Sequence, residues 1–331
     1  MKINSRRMPV LAAAMAAASA ATLAPQAVWA QGFPAKPVRM VTEFVAGSGG
    51  DALLRVLVAG MGTHLGQPVI IENRAGGGGM VAAEAVSRAA PDGYTLLGAT
   101  PNVPVVRVHM AKNHTFNPFR DLTPITDLAE PAIVIIAHPS LPANNLKELI
   151  ELAKREPGKL SYASSGIGST HHLSGEQIKM LAAINIVHVP YKALADSIRD
   201  VVSGVIPLAF NLSGPASPMI KAGKIKLLAI NNARRLPAWP EVMTTVEQIP
   251  GYELPPSGTG LFGPGNLPAE ILKRVHGDTI KALNDPEVKA KINAGGFNTL
   301  GRTPDEFAAL LKRQIDLVGR IVKTAGIQPT E

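Results

Sequence analysis

The sequence predicts an α/β protein of two domains with a ligand cleft between them. Three observations carry this. The chain has 331 residues, about twice a common domain size, with 46% hydrophobic and 18% charged residues, enough to build a core and too little charge for disorder. Short β-branched runs alternate with segments of helical spacing. Two of the strand-to-helix corners are rich in Gly and Ser. No repeat of 20 to 50 residues interrupts this rhythm.

The first thirty residues stand outside it. Lys2, Arg6 and Arg7 precede an apolar stretch over 8–24, and Val28-Trp29-Ala30 places small residues at the −3 and −1 positions of a cut after Ala30. That is the three-part pattern of a secretory signal peptide, and the apolar stretch is short for a spanning helix. Pro9 sits where a twin-arginine signal wants a bulky apolar residue, so ordinary secretion is expected. Cleavage removes three basic residues and no acidic one, so the net charge falls from +8 to +5. With no dense Lys/Arg run, no nucleic-acid partner is expected. The chain has no cysteine, which excludes disulfides, thiolate metal sites and a cysteine nucleophile.

In the mature chain, Pro37–Phe44 and Gln67–Glu72 read as strands, 52–65 as a helix with Leu53, Leu54, Leu57, Val58 and Met61 at helical spacing, and Tyr94–Ala99 as a third strand after an Ala-rich helix over 80–90. This β-α-β-α-β run implies parallel strands with right-handed crossovers. Further strands are expected at 133–137, 160–164, 186–189, 207–211 and 225–230. Helices are expected from Asn145 to the Pro157-Gly158 stop and over 172–182. The last third holds helical segments at 268–294, broken at Asp285-Pro286, and at 304–325, with Thr303 as N-cap, Pro304 at N1 and Glu306 at N3. The Pro and Gly around 255–265 read as a surface or hinge-side loop.

The two Gly/Ser corners are 44–51 (Phe44, Val45, Ala46, Gly47, Ser48, Gly49, Gly50, Asp51) and 163–172, which includes Ser164, Ser165, Gly166, Gly168, Ser169, Thr170, His171 and His172. Each opens a helix after a strand, so backbone N–H groups and the positive end of a helix dipole face an incoming anion. A dicarboxylate or similar ligand fits between two such ends. Thr100 and Asn102 follow the third strand and are further cleft candidates.

Several ordered pieces now resemble the Bug, or TctC, family of solute-binding proteins of tripartite tricarboxylate transporters. They are ENRAGGGGMVAAEAVSRAAPDGYTLL over 72–97, FNPFRDLTPI over 116–125, ASSGIGSTHHLSGE over 163–176, HVPYK over 188–192, IKAGK over 220–224 and TPDEF over 303–307. The resemblance covers essentially the whole mature chain. It implies a two-domain Venus flytrap of the type II-like periplasmic-binding-protein class, with domain 1 over 31–130 and 229–331 and domain 2 over 131–228. It also implies a monomeric periplasmic receptor that passes a small carboxylate to membrane permease subunits, with no cofactor and no metal; the alternative role is a carboxylate sensor with a membrane signalling partner. Carried over by position, Gly47, Gly49 and Asp51 match the family's first ligand loop, whose threonine is here Gly50. In the second loop Ser164, Ser165, Gly166, Gly168 and His172 match, Ser169 stands for threonine and Ile167 for a polar residue. Tyr191, Lys192 and Ala193 are placed near the cleft on the same grounds. Asn211 stands where the family often has Asp, and a neutral amide there disfavours amino-acid ligands. The resemblance assigns carboxylate binding to backbone N–H groups and to the hydroxyls of Ser48, Ser164, Ser165 and Ser169, directly or through water.

The same residues have plainer readings. Asp51 reads first as a helix N-cap, because its charge repels a nearby anion. Gly76 to Gly79 reads as a turn, since no Lys-Ser or Lys-Thr follows and the spacing is not GxGxxG. The His171-His172 pair is a weak metal signal; His172 packs at the loop base, His171 faces the cleft and adds charge, and His109 and His114 lie on the surface. Lys192 is either near the cleft or solvated. No GxSxG, no supported Ser/His/Asp order and no metal triplet is present, so an exported enzyme is the weakest alternative.

Overall fold

A computed structural model describes residues 32–110 and 115–328. The expected signal peptide over 1–30 and His114 lie outside the described residues.

Two mixed sheets form, each covered by helices on both faces. The first begins as predicted. Strands β1 (Val38–Thr42), β2 (Val69–Asn73) and β3 (Thr95–Ala99) are mutually parallel, with β1 between the other two. Helix α1 (Gly49–Leu65) joins β1 to β2, and α2 (Met80–Ser87) precedes β3. The pleat of β1 sorts its side chains. Met40 faces a core with Leu54, Leu57 and Met61 of α1, and Val41 faces the other side with Ala82, Ala83 and Val86 of α2. At Gly98 a Cβ would lie 2.8 Å from Leu54, so α1 seats directly on the sheet there.

The chain then runs through β4 (Leu122–Pro131) into the second sheet, which holds β5 (Ile133–Ala137), β6 (Ser161–Ser164), β7 (Val187–Pro190), β8 (Leu208–Leu212) and β9 (Lys226–Ile230) in the order β7-β6-β8-β5-β9. Helices α3 (Leu146–Arg155), α4 (Thr170–Ala182), α5 (Leu194–Ser203) and α6 (Ser213–Lys221) cover it. Strands β6, β7 and β8 are parallel, and β5 is antiparallel to β8 and β9. Ile135 packs with α3 on one face, while Val134 and Ile136 pack with α5 and α6 on the other.

The return to the first domain differs from expectation. A boundary at residue 229 cuts β9 in two. Beyond it, Leu236 joins the core of the second domain on one face, and Ile249 and Tyr252 join it on the other. The chain crosses back only at 255–258. The Pro/Gly segment read as a loop then becomes β10 (Thr259–Pro264), six buried residues set antiparallel between β3 and β4. Its glycines made it look like a loop, but they serve packing. A Cβ on Gly260 would meet the rings of Phe307 at 2.7 Å and Phe262 at 2.8 Å. Strand β4 was missed for a related reason: Pro124 breaks its pattern, and the structure absorbs it beside a β-bulge opposite Phe262.

Helices α7 (Ala269–Asn284) and α8 (Pro286–Ala294) part at Asp285, which caps the second through the N–H groups of Glu287 and Val288. Strand β11 (Phe297–Thr299) completes the six-stranded sheet in the order β11-β4-β10-β3-β1-β2. Helix α9 (Pro304–Ala325) starts in a complete capping box of Thr303 and Glu306 and ends at Gly326. It also reaches the second domain: Leu173 of α4 is buried among Leu317, Val318 and Ile321 of α9. His109, expected at the surface, is held to this helix by Nε2 against the Ile315 carbonyl at 2.8 Å.

Only Ala132 separates β4 from β5. Asn232 clasps this link, donating to the Pro131 carbonyl at 2.9 Å and accepting from Ile133 N–H at 2.8 Å.

Candidate functional site

The cleft lies between the two sheets and encloses about 480 Å³. From the first domain it is lined by Phe44, Gly50, Thr100 and Asn102, and from the second by Ser165, Gly168, Ser169, Thr170 and His171. Each corner is fixed by its own sequence.

The first corner is organised by Asp51. Ser48, not Asp51, is the N-cap of α1, its Oγ accepting the Asp51 N–H at 3.4 Å. Asp51 is the N3 residue, 1% exposed. Its carboxylate accepts from the Gly47 N–H at 2.8 Å, Arg55 Nε at 2.8 Å and Asn73 Nδ2 at 2.8 Å. The Arg55 hydrogen bond, aided by those of Asn73 and Gly47, holds the Asp51 carboxyl well below the usual range, at about 2. Asn73 also donates to the Phe44 carbonyl at 2.9 Å, and Gly47 takes φ +81°, so the loop turns back onto the helix start. Asp51 therefore shapes the loop from behind and does not line the cleft. Nor do Val45, Gly47, Ser48 and Gly49.

The second corner is tied down by histidines. Ser169 caps α4, accepting the His172 N–H at 3.2 Å and donating to the Gly166 carbonyl at 2.7 Å. Gly168 N–H donates to His172 Nδ1 at 3.1 Å, and Gly166 N–H donates to Ser164 Oγ at 3.1 Å. Ser164 is buried and lies 2.6 Å from His188 Nε2. The His172 and His188 rings stack with centroids 3.9 Å apart. Burial lowers the pKa of both, that of His188 to about 4. Tyr162 donates to Glu176 at 2.8 Å beneath this stack, and Lys179 pairs with the same carboxylate.

His171 reaches the cleft, but burial drops its pKa to about 4, so it is neutral and adds no charge. Its Nδ1 meets Ser165 Oγ at 2.7 Å, and its Nε2 has no partner among the described residues.

The hydroxyls expected to bind a carboxylate are mostly engaged. Thr100 donates from both N and Oγ1 to Glu43 Oε1 at 2.7 Å, and burial raises the Glu43 pKa. Thr170 donates to the Pro256 carbonyl. Of the four serines expected as ligand donors, Ser164 bonds to His188 and to its own loop, Ser169 bonds within its own loop, Ser48 serves as a cap, and only Ser165 is exposed on the cleft wall. Four residues from the resemblance stay off the wall. Tyr191 donates to Asp200 at 2.6 Å, and burial together with that carboxylate pushes its pKa up to about 12. Lys192 and Ala193 are exposed outside the lining. Asn211 is fully buried, donating to the Leu194 carbonyl and Ser197 Oγ at 3.0 Å each, so it contacts no solute from this position. Asn102 donates to the Gly78 carbonyl at 3.1 Å, in the glycine run that forms the expected turn.

Sequence reasoning missed Phe297, Ile133, Leu212, Ser257 and Thr259 of the wall. Phe297 comes from β11 and Ser257 from the return link, neither of which carries a motif. Among the described residues no group of three His, Asp or Glu could hold a metal ion, and no helix is long and apolar enough to cross a membrane.

Residues 53–327 match the sequence profile of the tripartite tricarboxylate transporter family receptor, TctC. A UPF0065 protein of Bordetella pertussis is 34% identical over 324 residues, 98% of each chain. Among solved structures, one described as a periplasmic transporter superposes with a TM-score of 0.71 at 35% identity, covering 89% of this chain and 99% of its own. The R. palustris protein Rpa4515, solved with adipate, gives 0.73 at 30% identity, with 90% and 99% covered. Profile, sequence likeness along the whole length and the two-domain fold agree: the chain belongs to the Bug/TctC family of solute-binding receptors.

Proposed function

We propose that this chain is a periplasmic solute receptor. It captures a small carboxylate between its domains and delivers it to the membrane permease of a tripartite tricarboxylate-type transporter. The observation that carries the reading is that two helix starts from different domains line one cleft: Gly50 in the first turn of α1, and Thr170 and His171 in the first turn of α4. The caps and loop bonds use the Asp51, His172, Gly166 and Gly168 N–H groups, which leaves the first N–H groups of both helices for an anion. The adipate-bound relative supports a carboxylate ligand. Export with cleavage after Ala30 and a monomeric mature chain belong to the same reading.

Capture proceeds by domain closure about the Ala132 link and the 255–258 return, which excludes water and strengthens the hydrogen bonds to the anion. Ser165 is exposed, so a larger side chain is tolerated by the fold but fills the cleft. Ser165→Leu should abolish binding in a thermal-shift panel of carboxylates while leaving the melting temperature of the unliganded protein within a few degrees of wild type. Wild-type affinity in this variant would sink the assignment of the cleft.

A further inference from the structure

Among the described residues, the cleft wall contains no ionised side chain. Its polar groups are two helix starts, a few hydroxyls, Asn102 and the neutral His171. Two helix ends together supply roughly one elementary positive charge. They hold a carboxylate through their N–H groups without a cation, whereas an ammonium group would find no carboxylate on the wall and would be buried unpaired.

The rest of the wall is apolar, and its aromatic part sits at the α1 helix start. A Cβ on Gly50 would lie 2.5 Å from Phe44 Cδ1, so the Phe44 ring occupies the space that any other residue at 50 would take. The Phe297 ring approaches Gly49 on the same turn, with Cζ 3.9 Å from the corresponding point. Two phenyl rings thus flank the N–H groups that receive the anion. From the second domain Ile167 adds an apolar side chain that is 54% exposed although it lines the cleft.

We propose that the solute is an aromatic carboxylate, one carboxylate on the helix starts and its ring between Phe44 and Phe297. Aromatic pairs in offset or edge-to-face geometry reward this placement beyond simple burial. The inference rests on the cleft being the carboxylate site, and the test separates the two. Isothermal titration of the dialysed mature protein uses benzoate, 4-hydroxybenzoate, succinate, citrate and L-glutamate. At least one of the two aromatic acids should bind tenfold or more tightly than the other three. Succinate, citrate or glutamate binding as tightly as the aromatic acids overturns the aromatic assignment and leaves the carboxylate site standing. No binding by any of the five overturns both. Gly50→Thr should displace the Phe44 ring and weaken the aromatic acid at least tenfold. Should that variant fold poorly, Ile167→Asn at its exposed position should lower the ratio of aromatic to succinate affinity at least threefold. A ratio unchanged in a folded variant counts against the proposal.

Discussion

Asp51 carries more of the first loop than any other side chain, because one buried carboxylate gathers Gly47, Arg55 and Asn73. Its pKa is held at about 2, below its ordinary value near 3.8. A carboxylate depressed in the folded state stabilises fully above the unfolded pKa, and that contribution is lost as pH falls through the folded one. Asp51→Asn should therefore lower the melting temperature at pH 7, with the gap to wild type closing between about pH 4 and pH 2. Thermal melts of both proteins across that range check it. Gly258 offers a second test on the return link. It holds φ +90°, and a Cβ there would lie 2.4 Å from the Ala129 carbonyl oxygen. Gly258→Ala should cost about 2 kcal/mol or more by urea denaturation, from left-handed backbone strain plus a backbone clash. A loss under about 0.5 kcal/mol, the scale of an indifferent surface change, would contradict it.

Helix α9 shows how an element with complete local signals behaves. Its capping box was readable from Thr303, Pro304 and Glu306 alone, and Thr303→Ala should cost about 1 kcal/mol in denaturant unfolding. What was not readable is its partner. Leu173→Ala in α4, a helix of the other domain, should cost about 2–4 kcal/mol, because the side chain is fully buried against Leu317 and Val318. Elements whose evidence is local were legible: the β1–α1–β2 corner, the Gly/Ser loops, the Asp285 break. Elements defined by pairing were not. Strand β10 looks like a loop because Gly260 answers to Phe307, distant in the sequence, and to Phe262 on its own face two residues on, while Gly263 answers to Leu267. The candidate site divides the same way. Both helix starts were found from their corners. The hydrogen-bond partners Glu43 of Thr100, His188 of Ser164 and Ser197 of Asn211 lie 14 to 57 positions away, so removing these residues from the list of ligand donors required the fold.

At the scale of the whole molecule, three histidines stand together in the second domain: His171, His172 and His188. All have pKa values lowered chiefly by burial, His171 and His188 to about 4. The unfolded chain takes up the His171 and His188 protons near pH 6.5, the folded protein only near 4, so stability should fall as pH drops between those values. Glu176 opposes this for His172, while Lys179 reinforces it. The melting temperature should decline from pH 7 to pH 4, and His188→Gln should flatten the decline; an equally steep profile in the variant would remove His188 as a cause. Small-angle scattering should show a smaller radius of gyration when a tight-binding carboxylate is added, as closure requires. One further consequence comes from the hydroxyls that were expected to meet the solute and instead bond to their neighbours. Thr100, Ser164, Ser169 and Thr170 are each locked in one rotamer by a partner of the protein's own. The loops around an arriving solute are thus rigid before it arrives. Most of the rotational freedom that a looser site would surrender on binding was already given up when the chain folded, and affinity need not work against it.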